Sequence, residues 1–129
     1  MPLLKFHLVK GRTAAEIDTL LDAAHDAMVA SFGVPERDRY QVLSEHESSH
    51  VRLLDTGLGI VRTDKIVLIE VVSRPRTGAA KQAFYRNICD ALRDRCGIDY
   101  TDVIISFVEN TDEDWSFGYG RAQFITGEL

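Results

Sequence analysis

The sequence predicts an α+β fold in which a duplicated β-α-β unit forms a four-stranded sheet with two helices on one face. Two helical segments of equal length are each bracketed by a threonine and a glycine, and strand-like segments flank both of them. The boundary residues recur 64 positions later as the pairs Thr13 and Thr77, Gly33 and Gly97, Val34 and Ile98, and Asp38 and Asp102. Because a helical crossover favours parallel pairing of the strands that it joins, each half should contain one parallel pair.

The first half begins with a strand. Apolar and polar residues alternate through Leu3–Val9, which is typical of a half-buried strand. Thr13 and Glu16 form a capping box, apolar residues follow at helical spacing, and Gly33 ends the helix. After a loop, Tyr40–Ser44 predicts a short second strand.

The second half repeats this order. Ile66–Val72 is a β-branched run that favours a strand buried on both faces. Thr77 caps a helix over Gly78–Cys96, which Gly97 ends. Val103–Val108 then predicts another buried strand.

Two segments lie outside the repeated units. Val51–Leu54 and Leu58–Val61 are separated by Asp55–Gly57, and they predict either a small hairpin or two short extended pieces. Trp115–Gly120 is rich in aromatic residues and glycine, and we expect a loop whose rings pack against another part of the protein.

We expect a single domain over residues 1–129, with halves at about 2–46 and 66–109. Two helices on one face of a sheet leave the other face bare and apolar. Copies of a small domain can bury such a face against each other, so the sequence predicts a homo-oligomer.

Composition narrows the range of partners. Fifteen Lys and Arg against twenty Asp and Glu give a formal charge of -5, which disfavours nucleic acid and anionic membranes. Apolar runs such as Ile66–Ile69 are too short to span a bilayer, and no signal-peptide pattern opens the chain. Cys89 and Cys96 would lie about 10 Å apart along one helix and could not bridge each other. We therefore expect reduced cysteines and a cytoplasmic location.

His46–His50 spells H-E-S-S-H, which matches the zinc motif of helical metalloproteases. That motif needs both histidines on one helix, whereas this segment follows a strand and contains two serines. On an extended chain the two rings would be attached about 13 Å apart, too far for one zinc ion. We interpret the segment as a surface loop, and His7 and His25 as isolated histidines.

Arg74 and Arg76 flank Pro75, directly after a predicted buried strand and before the helix capped by Thr77. Residues two apart in an extended segment point the same way, so two guanidinium groups and a helix N-terminus would converge there. This arrangement favours an anion site. The alternative is a pair of solvated arginines bridged to surface carboxylates.

Pro2 is the second candidate. Removal of Met1 would leave a secondary amine at the start of a strand, able to exchange a proton or to attack an aldehyde. Nearby arginines would lower the pKa of this amine, and a carboxylate would raise it. The alternative is a proline that only begins the strand.

Six segments together resemble the malonate semialdehyde decarboxylase family of the tautomerase superfamily, and the resemblance spans essentially the whole chain. They are Pro2–Phe6, Phe32–Tyr40, Asp55–Gly59, Ser73–Arg76, Glu109–Gly118 and Thr126–Leu129. Membership of the superfamily depends mainly on Pro2 and the duplicated unit. Assignment to the decarboxylase group depends on Asp38, the arginine pair and the Trp115 loop.

The resemblance implies a homotrimer without metal or organic cofactor, acting on a small carboxylate substrate. It also implies conversion of malonate semialdehyde to acetaldehyde and carbon dioxide. Pro2 would be the catalytic amine, Arg74 and Arg76 the carboxylate binders, and Asp38 the acidic partner near the proline or a water molecule. The implied apolar wall consists of Trp115, Phe117, Phe124 and Leu129.

Two other functions remain open at this stage. One is another proline-dependent reaction on a small 2-oxo or unsaturated acid, such as tautomerisation, hydration or dehalogenation. The other is a non-catalytic trimer like the cytokine branch of the superfamily.

Overall fold

A computed structural model describes residues 1–129 and contains four strands, two long helices and one short helix. In chain order they are β1 (Leu3–Val9), α1 (Ala14–Phe32), β2 (Tyr40–His46), β3 (Val67–Ser73), α2 (Gly78–Cys96), β4 (Val103–Glu109) and α3 (Gln123–Thr126). Three single turns of 3-10 helix lie at Ser48–His50, Tyr100–Asp102 and Asp112–Asp114. No helix combines the length and the apolar character needed to cross a bilayer.

The sheet has the strand order β2-β1-β3-β4. β1 pairs with β2 in parallel and β3 pairs with β4 in parallel, which confirms the two β-α-β units. The halves join through an antiparallel β1–β3 pair, in which Leu3 lies opposite Val72 on one side and Tyr40 on the other. The start of β1, the start of β2 and the end of β3 therefore meet at one end of the sheet.

The helix boundaries follow the repeat. Thr13 and Glu16 complete the expected capping box, and the Thr77 hydroxyl accepts a hydrogen bond from the backbone N–H of Ala80. Gly33 and Gly97 end their helices with φ values of 64° and 66°. These left-handed conformations suit glycine because it has no Cβ, so the same stop recurs in both halves.

Both long helices cover one face of the sheet, as predicted. The core between them and the sheet contains alternate residues of β1 and β3 together with the inner faces of the helices. Its largest fully buried members are Phe6, Phe84, Leu4, Leu8, Leu20, Met28, Ile69, Ile88, Leu92, Ile98, Val67 and Val71. The intervening residues of β1, such as Leu3, Lys5 and His7, are only half-buried, because no element of this chain covers the other face.

β3 and β4 are less buried within the chain than the sequence predicts. β3 alternates between buried and half-buried residues, so only one of its faces is buried within the chain. No residue of β4 is fully buried, because β4 lies at the edge of the sheet. The boundaries differ slightly as well: β2 extends to His46, β4 extends to Glu109, and β3 runs over Val67–Ser73.

The predicted hairpin between β2 and β3 is absent. After the Ser48–His50 turn, the chain runs without strand pairing to the start of β3, which matches the alternative of unpaired extended pieces. The Asp55 carboxylate accepts hydrogen bonds from the backbone N–H groups of Gly57 and Gly59, at 3.2 and 2.9 Å. These hydrogen bonds give the two backbone N–H groups a partner within the turn itself, so the turn is stabilised without a neighbouring strand.

Candidate active site

The amino terminus lies at the end of the sheet where β1, β2 and β3 meet. Pro2 is buried and Met1 is half-buried. Burial, and then the charges of Arg76 and Arg74, lower the pKa of the Met1 amino group to about 6, while Asp38 and Asp112 act in the opposite direction. The terminus and both arginines therefore share one electrostatic environment.

The two arginines follow β3 and make different contacts. The Arg74 Nε lies 2.6 Å from the Asp112 carboxylate, and its guanidinium stacks 4.2 Å from the Phe124 ring centre. The Arg76 Nε donates a hydrogen bond to the Ser73 hydroxyl at 3.2 Å and forms no ion pair. Arg74 thus forms the ion pair with a carboxylate that the alternative interpretation predicts, whereas Arg76 does not.

Arg76 contributes an unneutralised positive charge. Its guanidinium lies 5.1 Å from the Phe32 ring centre, and burial together with the neighbouring Arg74 lowers its pKa. Asp112 pairs directly with Arg74, and the nearby Asp38 charge acts on Arg76, but no carboxylate forms an ion pair with the Arg76 guanidinium. Arg76 can therefore bind an added anion directly despite the negative charge of the whole chain.

Asp38 lies in the loop between α1 and β2, with 9% of its surface exposed. Its backbone N–H donates to the Pro35 carbonyl at 2.9 Å, which holds the loop in a tight turn. The carboxylate forms no direct ion pair, but its charge raises the pKa of both Arg76 and the terminal amine. Asp38 is therefore close enough to influence protonation at the terminus.

Aromatic rings form a continuous cluster beside these charges, which we call the aromatic wall: Trp115, Phe117 and Phe124. Trp115 stacks on Phe117 with ring centres 5.4 Å apart, and Phe124 meets Phe117 edge-on at 5.5 Å. The Trp115 Nε1 donates to the Asn110 side-chain oxygen at 2.8 Å, which fixes the indole. Trp115 and Phe117 of the predicted loop thus pack on each other and on Phe124 of α3, whereas the third ring of the loop, Tyr119, is 92% exposed.

A cavity of about 470 Å³ opens beside the terminus. Met1, Asp38, Phe117 and Leu129 are among the residues that line it. Three of these are predicted site residues, and Met1 directly precedes a fourth, Pro2. Trp115, Phe124, Arg74 and Arg76 do not line this cavity directly. Phe124 links the two groups, since it contacts both Phe117 and Arg74.

Sequence reasoning missed three residues at this site. Tyr40 lines the cavity and packs against Phe117 at 5.6 Å, although we expected it only to begin a strand. Asp112 pairs with Arg74, and Gln123 lines the cavity behind Phe117. The run of three acids at 112–114 was a visible signal for an arginine partner, whereas Gln123 belongs to no motif.

The histidines are less isolated than predicted. The His7 ring lies 3.0 Å from His46 Nε2 and 2.7 Å from the Glu70 carboxylate, all on the uncovered face of the sheet. The His25 Nε2 donates to the Glu36 carbonyl at 2.9 Å. His46 ends β2 and His50 ends a 3-10 turn, so H-E-S-S-H does not form the helix that the zinc motif requires. No group of three or more potential ligands is arranged to hold a metal ion.

Two family models, each described as a tautomerase enzyme, match residues 38–118 and 2–59 of the chain. The chain therefore belongs to the tautomerase family. A relative described as probable tautomerase YrdN, from Bacillus subtilis (strain 168), is 49% identical over the full length of both chains.

Solved structures add a more specific likeness. A malonate semialdehyde decarboxylase, described with both decarboxylase and hydratase activities, is 55% identical with a TM-score of 0.97 over 98% of each chain. A fused 4-OT solved as a symmetric trimer is 26% identical with a TM-score of 0.79, over 97% of this chain and 98% of the other. These matches confirm the tautomerase fold and the resemblance drawn from the sequence motifs.

Proposed function

We propose that this protein decarboxylates malonate semialdehyde to acetaldehyde and carbon dioxide, with the Pro2 amine as the catalytic group after removal of Met1. The observation that carries the proposal is the electrostatic coupling of the amino terminus to Arg74, Arg76 and Asp38. The 55% identity to a malonate semialdehyde decarboxylase over nearly the whole chain supports this substrate.

Arg74 and Arg76 bind the substrate carboxylate in this proposal. Arginine suits the task because its planar guanidinium donates paired hydrogen bonds to two carboxylate oxygens. Holding the carboxylate from one side turns the bond between the carboxyl and methylene carbons out of the plane of the aldehyde. In that orientation the breaking bond overlaps the carbonyl π system, so the arginines contribute by orientation.

Pro2 acts on the aldehyde at the other end of the substrate. As the carbon–carboxyl bond breaks, its electron pair moves toward the aldehyde carbonyl, and carbon dioxide leaves. A protonated Pro2 stabilises the resulting enolate by donating a hydrogen bond to its oxygen. A neutral Pro2 instead attacks the aldehyde carbon before this step, the aldehyde oxygen leaves as water, and the resulting iminium accepts the electrons. The methylene carbon then takes a proton, and the product is acetaldehyde, directly or after hydrolysis of the iminium.

The aromatic wall and Leu129 provide the apolar side of the site. Charge is concentrated on the substrate carboxylate before the reaction and is dispersed as carbon dioxide leaves. An apolar surface stabilises the dispersed charge relative to the localised one, and it holds neutral products only weakly.

The direct test is acetaldehyde release from malonate semialdehyde by purified protein whose intact mass shows that Met1 is absent. A coupled alcohol dehydrogenase assay measures the product, and ketonisation of phenylenolpyruvate measures tautomerase activity in parallel. Acetaldehyde release well above the uncatalysed rate supports the decarboxylase. Ketonisation without acetaldehyde release refutes it. Borohydride trapping of a covalent adduct distinguishes the iminium route from the acid route.

The second candidate is a tautomerase, hydratase or dehalogenase acting on a small 2-oxo or unsaturated acid. It is favoured by the description of the Bacillus relative as a probable tautomerase and by the hydratase activity named for the similar decarboxylase. These reactions would use the same amine and the same anion-binding arginines. Turnover of phenylenolpyruvate or a 3-haloacrylate would separate them from decarboxylation.

We expect Asp38→Asn to move the pH dependence of turnover toward lower pH. The Asp38 charge raises the pKa of the terminal amine, so its loss lowers the pH at which the amine loses its proton. This direction is the same whether the reaction uses the protonated or the neutral amine. Profiles of kcat/KM against pH measure it, with Asp18→Asn on the exposed face of α1 as control. An unchanged profile would leave Asp38 with only a structural role in its loop.

We also propose that the protein is a homotrimer. The uncovered sheet face and the exposed apolar residues Val42 and Leu54, 56% and 82% exposed, need a covering surface, and the fused 4-OT forms a symmetric trimer. Light scattering coupled to size exclusion should give three times the 14.5 kDa mass of one chain. A mass of one chain at micromolar concentration would contradict this.

A further inference from the structure

We propose that Gln123 is a positioning residue that holds Phe117, and through it the aromatic wall, beside the cavity at the amino terminus. Its side-chain amide forms hydrogen bonds with the Phe117 N–H and the Gly118 carbonyl, which lie on either side of the peptide bond between these two residues. None of the motifs that define the family resemblance includes this residue. The kinetic part of the inference rests on the proposed function, whereas the part that concerns the position of the wall does not.

The contacts of Gln123 are directional and partly buried. Its Oε1 accepts a hydrogen bond from the Phe117 N–H at 2.9 Å, and its Nε2 donates to the Gly118 carbonyl at 2.8 Å. The residue is only 8% exposed. The Gly118 carbonyl also accepts a hydrogen bond from the Arg121 N–H at 3.3 Å, so the Phe117 N–H depends more on Gln123 than the Gly118 carbonyl does. A shielded backbone donor that loses its partner costs free energy, so this amide stabilises the otherwise irregular loop mainly at Phe117.

Only an amide side chain can make this pair of bonds. It presents one acceptor and one donor in a fixed plane, which matches an N–H and a carbonyl of adjacent residues. The opposite orientation of the amide would set two donors and two acceptors against each other. The pattern of bonds therefore fixes the orientation of Gln123, and through it the backbone that carries Phe117.

Gln123 also links the wall to the end of the chain. Its backbone carbonyl accepts hydrogen bonds from the N–H groups of Glu128 and Leu129, at 3.2 and 3.4 Å. The next residue, Phe124, contacts both Phe117 and Arg74. Substitutions of the Gln123 side chain leave these backbone hydrogen bonds in place. Such substitutions therefore test only the side-chain hydrogen bonds to Phe117 and Gly118.

The first test uses fluorescence, because Trp115 is the only tryptophan and stacks on Phe117. Gln123→Leu keeps nearly the same volume but removes both polar contacts. We expect a red-shifted emission and an acrylamide quenching constant raised about twofold, since the loop opens locally. Gln123→Glu keeps the acceptor for the Phe117 N–H but sets a carboxylate oxygen against the Gly118 carbonyl, so it should also expose Trp115 relative to the wild type. Gln82→Leu, on the exposed face of α2, is the matched control.

Kinetics on the substrate that the wild type turns over give the second readout. A displaced wall weakens substrate binding before and during the reaction, so Gln123→Leu should raise KM about tenfold with kcat within about threefold. Partial unfolding would instead lower the apparent kcat at unchanged KM. The proposal is overturned if Trp115 is shielded as in the wild type, or if its exposure is accompanied by loss of the helical circular dichroism signal. Absence of any turnover in the wild type refutes the proposed function and leaves the fluorescence result valid.

Discussion

Protein that retains Met1 should turn over malonate semialdehyde about 10²- to 10⁴-fold more slowly than protein that begins at Pro2, the range that general acid–base catalysis contributes. An amide-bonded proline nitrogen can neither carry a useful proton nor attack an aldehyde. A free secondary amine can do both. Burial and the charges of Arg76 and Arg74 lower the pKa of the Met1 amino group to about 6, and the same causes would lower the pKa of a Pro2 amine at this end of the sheet.

A matched pair of samples isolates this effect. A cleavable amino-terminal extension replaces Met1 and blocks Pro2, and its removal leaves Pro2 as the first residue of an otherwise identical chain. Intact mass gives the cleaved fraction, and turnover should rise in proportion to it. Equal turnover before and after cleavage would eliminate the amine mechanism, and with it the role proposed for Pro2.

Replacing either arginine should have the next largest effect. We expect Arg76→Ala and Arg74→Ala to remove about 2 to 4 kcal/mol of transition-state stabilisation each, or about 30- to 1000-fold in kcat/KM. The loss should be greater for Arg76, because Arg74 shares its charge with the Asp112 carboxylate. Both variants should also move the amine-dependent limb of the pH profile upward, since both cations lower the pKa of the terminal amine.

Arg86→Ala is the matched control, because this exposed arginine on α2 forms no ion pair. Arg76→Lys keeps the charge but loses the paired hydrogen bonds, and it separates the electrostatic contribution from the geometric one. Thermal unfolding and light scattering verify that fold and assembly are retained. Wild-type kcat/KM in both alanine variants would show that the carboxylate is bound elsewhere.

The candidate site was only partly visible in the sequence. Pro2 and the pair Arg74 and Arg76 stand out because a terminal secondary amine and two adjacent guanidinium groups have distinctive chemistry. The run of acids at 112–114 indicated an arginine partner without identifying it, and the hydrogen bonds of Gln123 had no signal at all, since a single acid or amide has no significance until its partners are known. Each depends on which backbone or side chain lies opposite, and that is decided by segments far away along the chain.

The two long helices, their ends and the parallel pairing within each half could all be predicted from the amino-acid sequence. Caps, glycine stops and apolar periodicity act over about four residues, so the helices and their ends are set locally. The parallel pairing within each half then follows because one helix joins the two strands. The antiparallel pairing of β1 and β3, in contrast, could be seen only in the folded protein, and it places the amino terminus beside Arg74 and Arg76, more than seventy positions away. That contact depends on how two separately formed units bury their apolar faces together, and no local pattern encodes it.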